Sequence, residues 1–182
     1  MLPVAVTLDT LSDVLVIRHA GLDDVAAIAR IHVHTWRHAY RGIVPDGLLD
    51  ALDETQSASR IVGWLDADKV ALVAERQGSV VGFCSLLPSR DTDAPAGTGE
   101  VAAIYVSPDQ ARRGAGRALL DASLAEARGR YAVLTLWVLA DNAAARRFYT
   151  AVGFVDDGGR KHVVLGGARL EEIRYRIDVP EP

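Results

Sequence analysis

Three arginines and two glycines crowd the stretch Arg112-Arg113-Gly114-Ala115-Gly116-Arg117, in a chain of 182 residues whose formal net charge is −4. The strand-like run Val101–Val106 precedes it, Pro108 breaks it off, and a helical pattern opens near Gly114. A helix start leaves backbone N–H groups without intrahelical partners, and the helix dipole adds about half a positive charge there. Such a loop suits a phosphate or pyrophosphate. The plain alternative is a helix start with two permissive glycines and solvated arginines. A dinucleotide fingerprint would need glycine where Leu119 stands, and a P-loop would need a Gly-Lys pair, which the chain lacks.

A second set follows the strand-like run Tyr131–Val138. Asn142 stands at a helix start, where its carboxamide can cap the helix or meet a ligand. Phe148 and Tyr149 come two turns later, and Gly153-Phe154 closes the helix. Tyr149 carries a phenol, with a reference pKa near 10.

Together these two stretches resemble the GCN5-related N-acetyltransferase (GNAT) superfamily. Its coenzyme motif, [Q/R]-x-x-G-x-[G/A], aligns with Ala111 to Gly116, except that Ala111 holds the [Q/R] position and Gln110 lies one residue early. Its later motif, N-x-x-A-x-x-F-Y-x-x-x-G-F, is carried by Asn142, Ala145, Phe148, Tyr149, Gly153 and Phe154. The resemblance implies acetyl-CoA as co-substrate, lying in a splay between the strands 100–106 and 131–138. It implies that the pantetheine arm pairs with the backbone of Ile104, Tyr105 and Val106, and that the Val106 N–H meets the developing oxyanion. Backbone amides of Ala111, Arg112, Arg113, Gly114, Ala115, Gly116 and Arg117 would hold the pyrophosphate, and Asn142 and Tyr149 would contact the coenzyme. Tyr149 is then the general acid. Glu100, at the start of the central strand, is the expected base, working through water, unless it is a solvated strand-end carboxylate. The competing functions are a non-catalytic acyl-CoA sensor and an unrelated nucleotide-phosphate binder.

The acceptor is expected to be a small-molecule or peptide amine. His32, Trp36 and Tyr40 recur every four residues and share one helical ridge, an acceptor wall or simply core. His34 and His38 have the spacing of two zinc ligands, but Thr35 replaces the glutamate of H-E-x-x-H, and no metal is expected. Cys84 is the single cysteine, so no internal disulfide forms. The acidic balance excludes a general nucleic-acid binder, and no run reaches the ~18 apolar residues of a membrane span. A cytoplasmic protein is expected, with a homodimer through Val163–Leu165 or the last strand as an option.

The elements that must position these residues are read from periodicity. A loose extension covers 1–13 and one domain covers 14–178. Its fold class is α+β: a GNAT-like, mostly antiparallel mixed sheet of six to seven strands with a central splay, flanked by about four helices. Gln77-Gly78 is read as a hairpin turn, and Gly158-Gly159 as another.

Overall fold

A computed structural model describes residues 14–63, 65 and 69–180; the expected extension 1–13 lies outside the described residues. The strands are β1 (Leu15–His19), β2 (Val70–Arg76), β3 (Ser79–Pro88), β4 (Thr98–Val106), β5 (Val133–Leu139), β6 (Val155–Leu165) and β7 (Ala168–Asp178). The helices are α1 (Val25–Ala39), α2 (Asp46–Asp50), α3 (Glu54–Val62), α4 (Ala115–Ala127) and α5 (Ala143–Ala151). The strands form one sheet in the order β1-β2-β3-β4-β5-β7-β6. The expected α+β architecture is therefore present, with seven strands and five helices among the described residues.

One pairing decides where function can sit. β4 and β5 run parallel, yet they pair only from Thr98–Glu100 to Val133–Thr135. Beyond Glu100 both strands continue without each other. β4 stays with β3 through Val106, while β5 stays with β7 through Leu139. A sheet interrupted in this way exposes backbone N–H and C=O groups that must find partners elsewhere.

Apolar side chains cover both faces of the sheet. Leu119 and Leu120 of α4 pack with Leu72, Leu86, Leu134 and Phe154 on one face. Ile28 and Ile31 of α1 pack with Ile61, Val73 and Phe83 on the other. A third cluster joins Val44 and Leu49 to Leu139, near Trp36 and Tyr40. No described helix is long and apolar enough to cross a membrane.

The reading of Gly158-Gly159 as a turn is corrected. Both glycines lie inside β6, where the register against β7 shifts between Asp156 and Arg160. The Asp156 and Asp157 carboxylates accept the N–H groups of Gly158 and Gly159, and Arg160 pairs with Asp156. Local Asx bonds thus build a bulge in an edge strand, and the real turn falls between β6 and β7 at Gly166-Gly167.

Candidate active site

A cleft of about 440 Å³ opens where β4 and β5 part. Strand alternation fixes what its β4 wall presents. The Ser107 N–H bonds back to Val81 of β3. Successive residues of a strand point their polar groups to opposite sides, so the Val106 N–H and C=O face the splay. The Val106 carbonyl accepts the Thr35 hydroxyl of α1 at 3.2 Å. Its N–H remains directed to the opening, as does that of Ile104. Ile104, Tyr105 and Val106 all line the cleft, with the Tyr105 backbone turned to β3 instead.

The floor of the cleft is the start of α4. Gly114 caps this helix with φ +88°, and Arg112 adopts φ +61° two residues earlier. A left-handed conformation costs a non-glycine residue about 1–2 kcal/mol, so the surroundings must impose it at Arg112. Two such residues in three fold the chain back and turn successive N–H groups to one side, a concavity for anions. Ala111, Arg112 and residues 114–117 line the cleft, whereas Arg113 faces a separate cavity behind the loop. The arginine side chains are less available than their spacing suggests. Arg117 pairs with Asp121 at 3.0 Å, and Arg113 donates to the Gln110 side-chain carbonyl at 2.9 Å.

The opposite wall comes from β5 and α5. Asn142 caps α5, its side-chain oxygen accepting the Ala145 N–H at 3.1 Å. That bond uses the oxygen, and the carboxamide NH2 carries its remaining donors. Tyr149 lines the cleft, with its ring 5.4 Å from Phe148 and 6.1 Å from Phe154. Burial pushes the Tyr149 phenol well above its ordinary range, and the neighbouring Tyr105 and Cys84 add to the shift. The hydroxyl is thus held protonated, as a donor.

On the α1 side the residues separate. Tyr40 reaches the cleft, while His32 and Trp36 do not line it. His32 packs edge-on against Tyr105 with 5.6 Å between centroids and shares a 3.0 Å hydrogen bond with Ser57 of α3. The ridge is a ladder of ring contacts, with 5.3 Å from His32 to Trp36 and 4.9 Å from Trp36 to Tyr40. Two of its residues, His32 and Trp36, are partly buried away from the cleft, and Tyr40 is cleft wall.

Glu100 is neither solvated nor open to the cleft. It is 3% exposed, and both carboxylate oxygens are taken by Arg90 of the β3–β4 loop, at 3.1 and 2.5 Å. Sequence reasoning missed Arg90, and it missed Trp137, which lines the cleft from β5. The Trp137 indole N–H donates to Asp91 at 3.0 Å, and Arg174 binds both Asp91 and Asp93. These contacts fasten the β3–β4 loop to β5 and β7. The only available signal was composition, since the loop is rich in aspartate. Among the described residues no group of three or more His, Cys, Asp or Glu is placed to hold a metal ion, and His34 instead meets Glu54.

Residues 24–154 match the model of the acetyltransferase (GNAT) family. The chain is 31% identical over 161 residues to the uncharacterised N-acetyltransferase YuaI of Bacillus subtilis, covering 86% of this chain and 89% of that protein. It is 32% identical over 145 residues to the L-amino acid N-acyltransferase MnaT of Escherichia coli, covering 76% and 78%. Its fold superposes with TM-score 0.70 and 26% identity on the structure of yncA from Salmonella typhimurium with its cofactor acetyl-CoA, covering 92% of this chain and 95% of that one.

Proposed function

Because the chain belongs to the GNAT acetyltransferase family, and so is an acetyl-CoA-dependent N-acetyltransferase, we propose that it moves the acetyl group to a primary amine by direct attack, with Tyr149 as general acid. The observation that carries this reading is the meeting of three features in one cleft. These are the unpaired edge of β4, the start of α4 and the Tyr149 phenol.

The pantetheine arm fits the unpaired β4 edge as an added strand, and the pyrophosphate fits the backbone concavity at 111–117. The amine nitrogen attacks the thioester carbonyl carbon, and the oxygen becomes an oxyanion facing the Val106 N–H. One such donor is worth about 3 kcal/mol in comparable sites. The C–S bond then breaks, and Tyr149 gives its proton to the departing sulfur. Burial raises the phenol, but the same dry cleft also disfavours the thiolate, so the two remain comparable. Glu100 lies on the acceptor-facing side of the sheet and takes the amine proton once Arg90 swings away, which the 65% exposure of that arginine side chain allows. The name of the Escherichia coli relative supports a small amine, such as an amino acid, as acceptor. Residues 14–178 act as one catalytic unit in the cytoplasm, where acetyl-CoA is made and used.

The test is thiol release from acetyl-CoA across a panel of amino acids, small amines and peptides. Tyr149→Phe is expected to lower kcat by about 10²–10³ with KM for acetyl-CoA nearly unchanged. Equal turnover in variant and parent removes Tyr149 from the mechanism, and no release with any amine defeats the reading itself.

A further inference from the structure

Behind the α4 loop, on the side away from the cleft, lies a second cavity of about 350 Å³. Arg76, the last residue of β2, is only 7% exposed there and does not line the cleft. Its guanidinium donates to the Arg113 carbonyl at 2.9 Å and to the Gln110 side-chain carbonyl at 3.2 Å. The same Gln110 oxygen accepts from Arg113 at 2.9 Å. One buried cation thus grips the loop at Gln110, two residues before the left-handed Arg112, and at Arg113, between Arg112 and the left-handed Gly114.

We infer that Arg76 is a positioning residue for the coenzyme, acting through the loop and touching no part of the substrate. This rests on the proposed pyrophosphate site. By accepting from Arg76, the Arg113 carbonyl is turned to the rear of the loop. A peptide carbonyl and the N–H of the next residue point in opposite directions. Pulling the Arg113 carbonyl back therefore aims the Gly114 N–H forward, toward the cleft. The planar guanidinium suits this task, because its fork reaches two acceptors from one fixed position. Gln110 also finds its role here. Displaced by one residue from the motif position, its side chain serves as the strut between Arg76 and Arg113. The buried charge sits close behind the start of α4, where it adds to the field that an anion meets.

The experiment measures CoA binding by calorimetry to the whole chain, together with hydrogen exchange at residues 111–117. Arg76→Met is expected to weaken CoA about tenfold, and Arg76→Lys, which keeps one donor and the charge, about threefold. Gln110→Ala, a change at a partly exposed loop position, is expected to weaken CoA about threefold. Exchange at 111–117 should quicken in Arg76→Met while β2 and β3 keep their protection. Arg76→Met binding CoA within twofold of the parent overturns the inference, as does equal loss of protection throughout β2 and β3. If Arg76→Met fails to fold, unchanged CoA affinity in both Arg76→Lys and Gln110→Ala overturns it. A parent protein that binds no CoA defeats the pyrophosphate site instead.

Discussion

Two side chains near the cleft, Tyr149 and Glu100, lie in opposite surroundings. Tyr149 sits among aromatic rings that desolvate it, so the phenol keeps its proton and stands ready as a donor. Glu100 is equally hidden, but an arginine covers it, and its charge is matched. Replacing Glu100 by glutamine should cost about 1 kcal/mol of stability, since Arg90 is largely solvated and such pairs are weak. If Glu100 takes the amine proton, the same variant flattens the acid limb of the kcat/KM–pH profile. A lowered Tm with an unchanged profile reduces Glu100 to an anchor of the β3–β4 loop. Tyr149 was legible in the sequence because Asn142, Phe148 and Gly153 surround it at fixed local offsets on one helix. Arg76 was not, because its partners lie 34 and 37 residues further along the chain. Arg90 was hidden for a related reason, as its role depends on how a loop folds back over the strand that follows it.

At the scale of elements, the short contact between β4 and β5 passes through Gly99, where the chain has no room for a side chain. A Cβ there would come within 2.7 Å of both Leu134 and Tyr131. Leu134 cannot give way freely, because it is fully buried. Gly99→Ala is therefore expected to destabilise the fold by about 1–3 kcal/mol through overpacking, read as a lower denaturant midpoint at constant m-value. Helices α1 and α4 and strands β2 to β5 were readable from their apolar patterns, since each sends side chains into the core. The β6 bulge was not. Two adjacent glycines signal a turn by composition, and only the register against β7 shows that the strand continues through them.

For the molecule as a whole, His32 ties stability to pH. It lies between α1 and α3, and burial, reinforced by the Arg60 charge, holds its pKa below the ordinary 6.5. Unfolded, His32 takes up a proton as pH falls past about 6.5, whereas the folded protein resists doing so. The unfolded state then binds more protons, so stability declines as pH drops from 7 toward the folded-state value and levels off below it. A Tm series between pH 7.5 and 5.5 should show this decline, and His32→Gln should reduce it. Asp24, held below its usual range by Arg18, adds a loss in the same direction only at far lower pH.

The divergence of β4 and β5 has one more consequence, for how long a molecule survives in a cell. The pairing of β4 with β5 stops after Glu100, and the proposed donor site lies along the β4 edge beyond it. A ligand that binds only the folded form adds RT ln(1 + [L]/Kd), about 2.7 kcal/mol at a hundredfold excess over Kd. With the donor held at the proposed site, the protein is expected to resist proteolysis longer as acetyl-CoA rises, which limited digestion over a series of acetyl-CoA concentrations checks.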